Sequence, residues 1–290
     1  VELSFEFWFM LPIAIVIATI AMSSGVGGAT FFSPLFILVL GLRPEIAIGA
    51  GLVTEVFGFG SGLYAYFRKK YIDFRLSFAL LITTVPLALI GSLLANRVDG
   101  DILKVMLGVG LFGIALNFLK APEEQEVTRA DAAIEEDFGA DKGETCLVTA
   151  EGESICYTVC NKTEGRIIAG IGGLFVGLIS TGLGELNGYF LLRRCRVPSK
   201  VSVATSVLVI AVTVLFASVG HVAQFAQADP AALETIFSLV IFTIPGVIIG
   251  GQLGPILAKY VPSRRMEQFI AVLFIIIAAL TLAEVFLAGE

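Results

Sequence analysis

"SSGVGGATFFSPLF", Ser23 to Phe36, interrupts an apolar run with three glycines, four hydroxyl residues and a proline. A segment that only had to sit in lipid would keep its helix unbroken. Backbone freed from a helix at membrane depth leaves N–H and C=O groups without partners, at several kcal/mol each. Such backbone persists only inside protein or around a watered cavity. The break therefore marks a place where something other than lipid is handled.

The surrounding sequence is membrane sequence. Of 290 residues, 57% are hydrophobic and 15% charged, and the mean hydropathy is +0.91. Soluble domains carry about 25% charged residues. Apolar stretches long enough to cross a bilayer, roughly 17–25 residues, fall at 46–67, 74–96 and 102–119, and again at 201–226, 233–258 and 266–288. The expected class is an all-α multi-pass membrane protein. A β-barrel would instead alternate in ten-residue segments. "SSGVGG" runs on into further apolar sequence, so the first run does not read as a signal peptide.

Charge divides the chain. Residues 121–165 hold twelve carboxylates and three bases, a balance of −9; the whole chain carries −6, so the rest carries +3. The expected organisation is a first membrane repeat at 1–120, an acidic soluble insert at 121–165 and a second membrane repeat at 166–290. The bases cluster at helix ends, where lipid headgroups account for them, and no nucleic-acid partner is expected.

The two membrane blocks echo each other in order. "SSGVGG" (23–28) is answered by "STGLGE" (180–185), and "RPEIAIGAGLV" (43–53) by "VPSKVSVATSVL" (197–208). "PLALIGSLLA" (86–95) pairs with "PGVIIGGQLG" (245–254), and "LKVMLGVGLFGIAL" (103–116) with "MEQFIAVLFIIIAAL" (266–280). Cytoplasmic junctions collect Lys and Arg. They do so at "RKKYIDFR" (68–75), the middle junction of the first half, and at "RRCRVPSK" (193–200) and "KYVPSRR" (259–265), the outer junctions of the second. Equivalent junctions thus face opposite sides, which predicts inverted repeats of the kind secondary transporters use. Inversion needs an odd number of crossings per half. Each broken pair, about 8–22 with 29–41 and 166–179 with 187–195, is then a re-entrant hairpin; two tilted full crossings would satisfy the same charges. A multi-pass protein of the inner (cytoplasmic) membrane follows.

A helix that restarts after a break presents free N–H groups and the positive end of its dipole, which favours anions. The candidate binding residues are Ser24, Gly25, Gly27, Gly28 and Thr30 at the first tip, with Ser23 and Ser33 as further donors. At the second tip they are Thr181, Gly182, Gly184, Glu185 and Asn187, with Thr205 and Ser206 beside them. The alternative use of such small residues is close helix packing. Glu55 and Glu185 are carboxylates in apolar surroundings, where charge is rare and usually functional. A carboxylate beside an anion repels it unless it carries a proton, so both are candidates for proton coupling. Ion pairing is the alternative for both, and helix capping for Glu185. His221 reads as a boundary side chain ahead of a proton relay. Arg193, Arg194, Arg196 and Lys200 read as topology anchors, one of which could also receive the anion.

"GVGGATFFSPLF" together with "VPSKVSVATS" resembles the TauE/SafE family of bacterial and archaeal permeases. The resemblance covers both membrane blocks and not the insert. It implies transport of sulfite, a sulfonate, sulfoacetate or thiosulfate. The second tip departs from the glycine-rich form, with Glu185 and Asn187 in place of a glycine pair. An anion channel with the same broken-helix site is the second reading. An intramembrane enzyme is the third, supported only by Glu55 and Glu185 as an acid pair. No metal or nucleotide pattern occurs, so no cofactor is expected; a proton or other ion is the expected coupling partner.

Cys146, Cys156 and Cys160 lie in the insert. Placed in the cytoplasm, they are expected as unpaired thiols, with either no special role or a redox or metal-sensing one. Cys195, between arginines, is expected to react with external reagents.

Overall fold

The computed structural model describes residues 5–24, 29–120, 124–138, 145–257, 260–261 and 263–288. The first half opens with two short helices, α1 (Met10–Ser24) and α2 (Ala29–Leu38). Three long ones follow: α3 (Pro44–Lys69), α4 (Phe74–Ala95) and α5 (Gly100–Leu119). The insert forms helix α6 (Glu124–Phe138) and an antiparallel hairpin, β1 (Thr145–Val148) with β2 (Ser154–Tyr157). In the second half α7 (Lys162–Ile179) precedes α8 (Leu183–Gly188), which runs on as a π-helical segment (Tyr189–Arg194). The long helices α9 (Ser199–Ala228), α10 (Pro230–Leu257) and α11 (Ser263–Ala288) complete the fold. Among the described residues, six helices, three in each half, are long and apolar enough to cross a membrane. Helix α1 spans about 22 Å and α2 about 15 Å at 1.5 Å per residue, both short of a core of ~30 Å.

The halves exchange their first helices. Helix α1 packs on α10 of the other half, and α7 packs on α4. Both contacts are made at backbone distance. A Cβ on Gly91 of α4 would lie 2.3 Å from the Leu174 carbonyl oxygen, and one on Gly177 of α7 would lie 2.1 Å from that of Ala88. Gly250 of α10 meets the Ile15 oxygen in the same way, at 2.5 Å. Gly91 and Gly250 are the matched glycines of "PLALIG" and "PGVIIG", so the sequence echo has a packing cause. Between the long helices, Thr54 meets Thr243 at 2.7 Å across α3 and α10, and Thr213 donates to Thr84 at 3.0 Å across α9 and α4. All four are fully buried. Each hydroxyl finds a partner inside an otherwise apolar interface, which removes the cost of an unmade bond.

Helix ends are capped as the sequence allows. Asp73 accepts from the N–H groups of Arg75 and Leu76 at the start of α4, and Asn161 from Thr163 and Glu164 at the start of α7. At the far end of α9, Asp229 accepts from Ala232 N–H and pairs with Arg43, which joins the two halves. These contacts, Ala232 first and then Arg43, hold the Asp229 carboxyl below its ordinary range. Phe67, Phe74, Phe78, Ile82 and Ile276 are among the large apolar side chains left exposed on the helices, as lipid-facing positions require.

The insert is docked rather than loose. The Tyr157 hydroxyl donates to Asp73 Oδ2 at 2.6 Å, with Tyr157 fully buried. Burial first, then the hydrogen bond and charge of Asp73, raise the phenol above its ordinary pKa. Asp131 of α6 accepts from the backbone and hydroxyl of Ser199 at the start of α9.

The cysteines are paired, which corrects the expectation of free thiols. Cys146 and Cys156 are direct partners across the hairpin and form one disulfide; Cys160 and Cys195 form the other. The register of β1 on β2 and the turn after the π-helical segment bring the sulfurs together. Cys195 is therefore buried and bonded rather than available to reagents. Helix α6 and the hairpin are structure that the acidic composition of the insert does not specify.

Candidate anion site between the two broken helix pairs

The second break is set by two left-handed residues. Helix α7 stops at Ser180, at φ 58°, and α8 starts at Gly182, at φ 106°. Glycine reaches that region without a Cβ penalty. The turn places Ser180 and Thr181 side by side, facing the first broken pair. Ser180 Oγ lies 2.6 Å from Ser33 Oγ, and Thr181 Oγ1 lies 3.2 Å from Thr30 Oγ1. All four residues are buried. The two breaks, about 150 residues apart in the chain, thus meet through hydroxyl groups.

Three of these residues, Thr30, Ser180 and Thr181, line a cavity of about 1060 Å3. Thr30, Ser180, Thr181, Gly182, Gly184 and Glu185 line its deep end, with Glu55 of α3 and Ser206 of α9 on its walls. Its other end lies among Lys120, Arg193 and Arg196 and beneath α6. Glu55 is buried and Glu185 half-buried. Glu55 and Glu185, the hydroxyl residues Thr30, Ser180, Thr181 and Ser206, and the start of α8 therefore share one chamber, which Glu126, Asp131 and Glu267 also line. Such a set can hold a small anion through O–H and N–H donors, and can hold a proton on a carboxylate next to it.

Of the residues named from sequence, Thr30, Glu55, Thr181, Gly182, Gly184, Glu185 and Ser206 line this cavity. Asn187 is buried behind the tip and does not line the cavity; its Nδ2 is one of three buried side-chain polar atoms without a partner among the described residues. Thr205 also faces elsewhere: its hydroxyl accepts from Asp73 N–H at 3.1 Å, so it serves the α4 cap. Gly25, Gly27 and Gly28 lie outside the described residues, as does the Ser24 side chain. His221 is not a boundary residue. It is fully buried, and its Nε2–H donates to the Gly177 carbonyl at 2.9 Å. That carbonyl belongs to the last turn of α7, where no intrahelical N–H remains to meet it. Sequence reasoning passed over Ser180, although it opens the echo "STGLGE" and its partner Ser33 lies in the opening motif.

The comparisons with known proteins agree with this architecture. The family described as Sulfite exporter TauE/SafE matches residues 10–281. The chain is 23% identical over 280 residues to the probable membrane transporter protein YunE of Bacillus subtilis, covering 94% of this chain and 96% of the relative. It is 30% identical over 275 residues to the probable membrane transporter protein YjnA of the same organism, covering 89% and 92%. A probable membrane transporter protein of Sinorhizobium, ORF9, is 30% identical over 126 residues, which is 43% of this chain and 48% of the relative. No solved structure matches the chain. A match over nearly the whole chain, on helices that long and that apolar, leads to one conclusion: the chain is a membrane transporter belonging to the TauE/SafE family.

Proposed function

We propose that the chain is a secondary transporter for a small sulfur-containing anion of the sulfite, sulfonate, sulfoacetate or thiosulfate class, working by alternating access between inverted repeats. The observation that carries this reading is the meeting of the two breaks at Thr30–Thr181 and Ser33–Ser180, beside the cavity that Glu55 and Glu185 line. A tetrahedral oxyanion needs several converging donors and no fixed negative charge. The hydroxyls supply the donors, and protonation of a carboxylate removes the charge. The repeated use of Gly91 and Gly250 to seat the other half's first helix supports two equivalent halves able to rock on each other.

In this reading the present conformation is open toward the basic junctions and shut at the hydroxyl contact. The transport cycle then opens that contact while the mouth near Arg193 closes. A channel would need no such exchange. Uptake of radiolabelled sulfite, thiosulfate, sulfoacetate and taurine into proteoliposomes tests the reading. We expect saturable flux of at least one of these, accelerated by an imposed pH gradient. Absence of flux for all of them, from well-folded protein, would remove the anion assignment; conductance that follows voltage with no stoichiometric coupling would favour the channel.

A further inference from the structure

The mouth of the cavity carries charge that the deep end does not explain. Lys120 at the end of α5, Arg129 on α6, Arg193 in the π-helical segment and Arg196 in the turn after it all line it, and all four are exposed. None of them forms an ion pair among the described residues. Asp131 and Glu267 line the same cavity but are held by other partners, Asp131 by Ser199 and Glu267 by Arg264, while Glu164 pairs with Arg194 and Glu153 with Lys200. Glu126 also lines the mouth, one turn before Arg129, and forms no ion pair among the described residues. Four exposed cations lining one opening attract a visiting anion.

We propose that Lys120, Arg129, Arg193 and Arg196 form a second anion-binding site, at the mouth of the cavity, which captures the anion before it reaches the hydroxyl-lined tip. The proposal rests on the reading of the chain as an anion transporter. Topology anchoring explains basic residues at the ends of membrane helices, but Arg129 stands on the insert helix. The cations are also held in place. Arg193 donates to the Lys120 carbonyl at 3.4 Å, which joins the ends of α5 and the π-helical segment. Arg196, at φ 49°, sits in a turn fixed by the Val197 N–H to Leu191 bond at 2.8 Å and by the Cys160–Cys195 disulfide beside it. Arg129 rides on α6, which Asp131 pins to Ser199. Guanidinium groups offer paired N–H donors that match the oxygens of a sulfonate, sulfate or carboxylate. A cationic funnel of this kind raises the local anion concentration and the on-rate, and salt weakens it. The ligand class is accordingly small oxyanions and organic sulfonates or carboxylates with one or two negative charges.

The test compares sulfite flux into proteoliposomes for the native protein, Arg129→Gln, Arg129→Glu/Arg196→Glu and, as a control on the opposite side, Arg97→Gln. We expect Arg129→Gln to raise KM about threefold and the double reversal at least tenfold, with the maximal rate falling less than twofold and the salt dependence of KM flattened. Arg97→Gln should behave as the native chain. An unchanged KM and salt dependence in the double reversal overturns the capture site while leaving transport standing. If the native protein moves no member of the anion panel, the transporter reading fails. The mouth is then judged by equilibrium dialysis of radiolabelled sulfate with detergent-solubilised protein. Salt-sensitive binding that Arg129→Glu/Arg196→Glu removes supports the mouth site, and binding untouched by that variant, or absent from the native protein, overturns it.

Discussion

Ser33 and Ser180 touch through their hydroxyl oxygens at 2.6 Å, although 147 residues of chain separate them. Gly51 of α3 lies against this pair: a Cβ there would stand 2.5 Å from Ser33 Oγ. Three elements, the two breaks and α3, therefore fix one contact.

Gly51→Ala should push the Ser33 hydroxyl away from Ser180 and cost about 1–3 kcal/mol, the usual penalty of overpacking. Removing the oxygen with Ser33→Ala in the same chain should return most of that stability. Thermal unfolding in detergent measures both. Equal destabilisation with and without the Ser33 oxygen would mean that Gly51 is needed for another reason.

The helix exchange between halves depends on backbone contact. Gly177→Ala would put a Cβ 2.1 Å from the Ala88 carbonyl oxygen, and Gly250→Ala one 2.5 Å from that of Ile15. Backbone cannot yield as a side chain can, so each should cost about 3 kcal/mol or more and lower the folded yield sharply. Gly113→Ala, which meets nothing within 4 Å, should be neutral or slightly stabilising in its helix. Fluorescence size-exclusion profiles of the three variants give the comparison.

Much of this was legible in the sequence. The six spans fall within a few residues of their helices, because uninterrupted apolar length leaves few alternatives. Gly91 and Gly250 were visible as matched positions, and the structure supplies their reason. The insert was not legible. Its acidic composition says only that it is solvated. Whether Tyr157 reaches Asp73, or Cys160 reaches Cys195, depends on tertiary placement that no local pattern encodes. His221 was misjudged for a related reason: its partner is a carbonyl freed by the end of α7, 44 residues away. Thr205 had the chemistry of a ligand-binding residue, and the α4 cap claimed it.

Docking of the insert should respond to alkali. The Tyr157 phenol titrates higher in the folded chain than in the unfolded one. Its contribution is therefore fully present below the unfolded value, near about 10, and is lost as pH rises through the folded value. Tyr157→Phe should lose about 1.5–3 kcal/mol, the range for a hydrogen bond to a charged group, and flatten the alkaline limb. At the opposite end of the protein the sign reverses. Asp229 titrates lower when folded, so its contribution is present above the unfolded value, about 3.9, and lost as pH falls through the folded one. Arg43→Gln should weaken that acid limb. Unfolding midpoints from pH 3 to 11 test both groups.

The Cys160–Cys195 disulfide closes a separation of 35 residues, for which chain entropy suggests about 3–4 kcal/mol. Cys160→Ser should leave the membrane helices folded and make the insert more sensitive to limited proteolysis. Undiminished protease resistance would show that Tyr157 and Asp131 hold the insert alone.

Glu55→Gln and Glu185→Gln separate coupling from support. The carboxylate that carries the proton should, as Gln, still permit anion exchange but lose acceleration by a pH gradient. Our assignment gives coupling to Glu55 and site lining to Glu185. Flux at several pH values decides, and a native pH response in both variants would end proton coupling through these residues.

For an anion to pass, the hydroxyl contact between the two breaks must part. Ser33→Cys/Ser180→Cys places two thiols where the oxygens now stand 2.6 Å apart, within reach of a disulfide. The measurement is anion flux before oxidation, after it and after reduction, with the native chain taken through the same cycle. We expect flux to fall to a tenth or less when the link forms and to recover on reduction, while the native chain changes little. Full flux with the link in place would contradict the account.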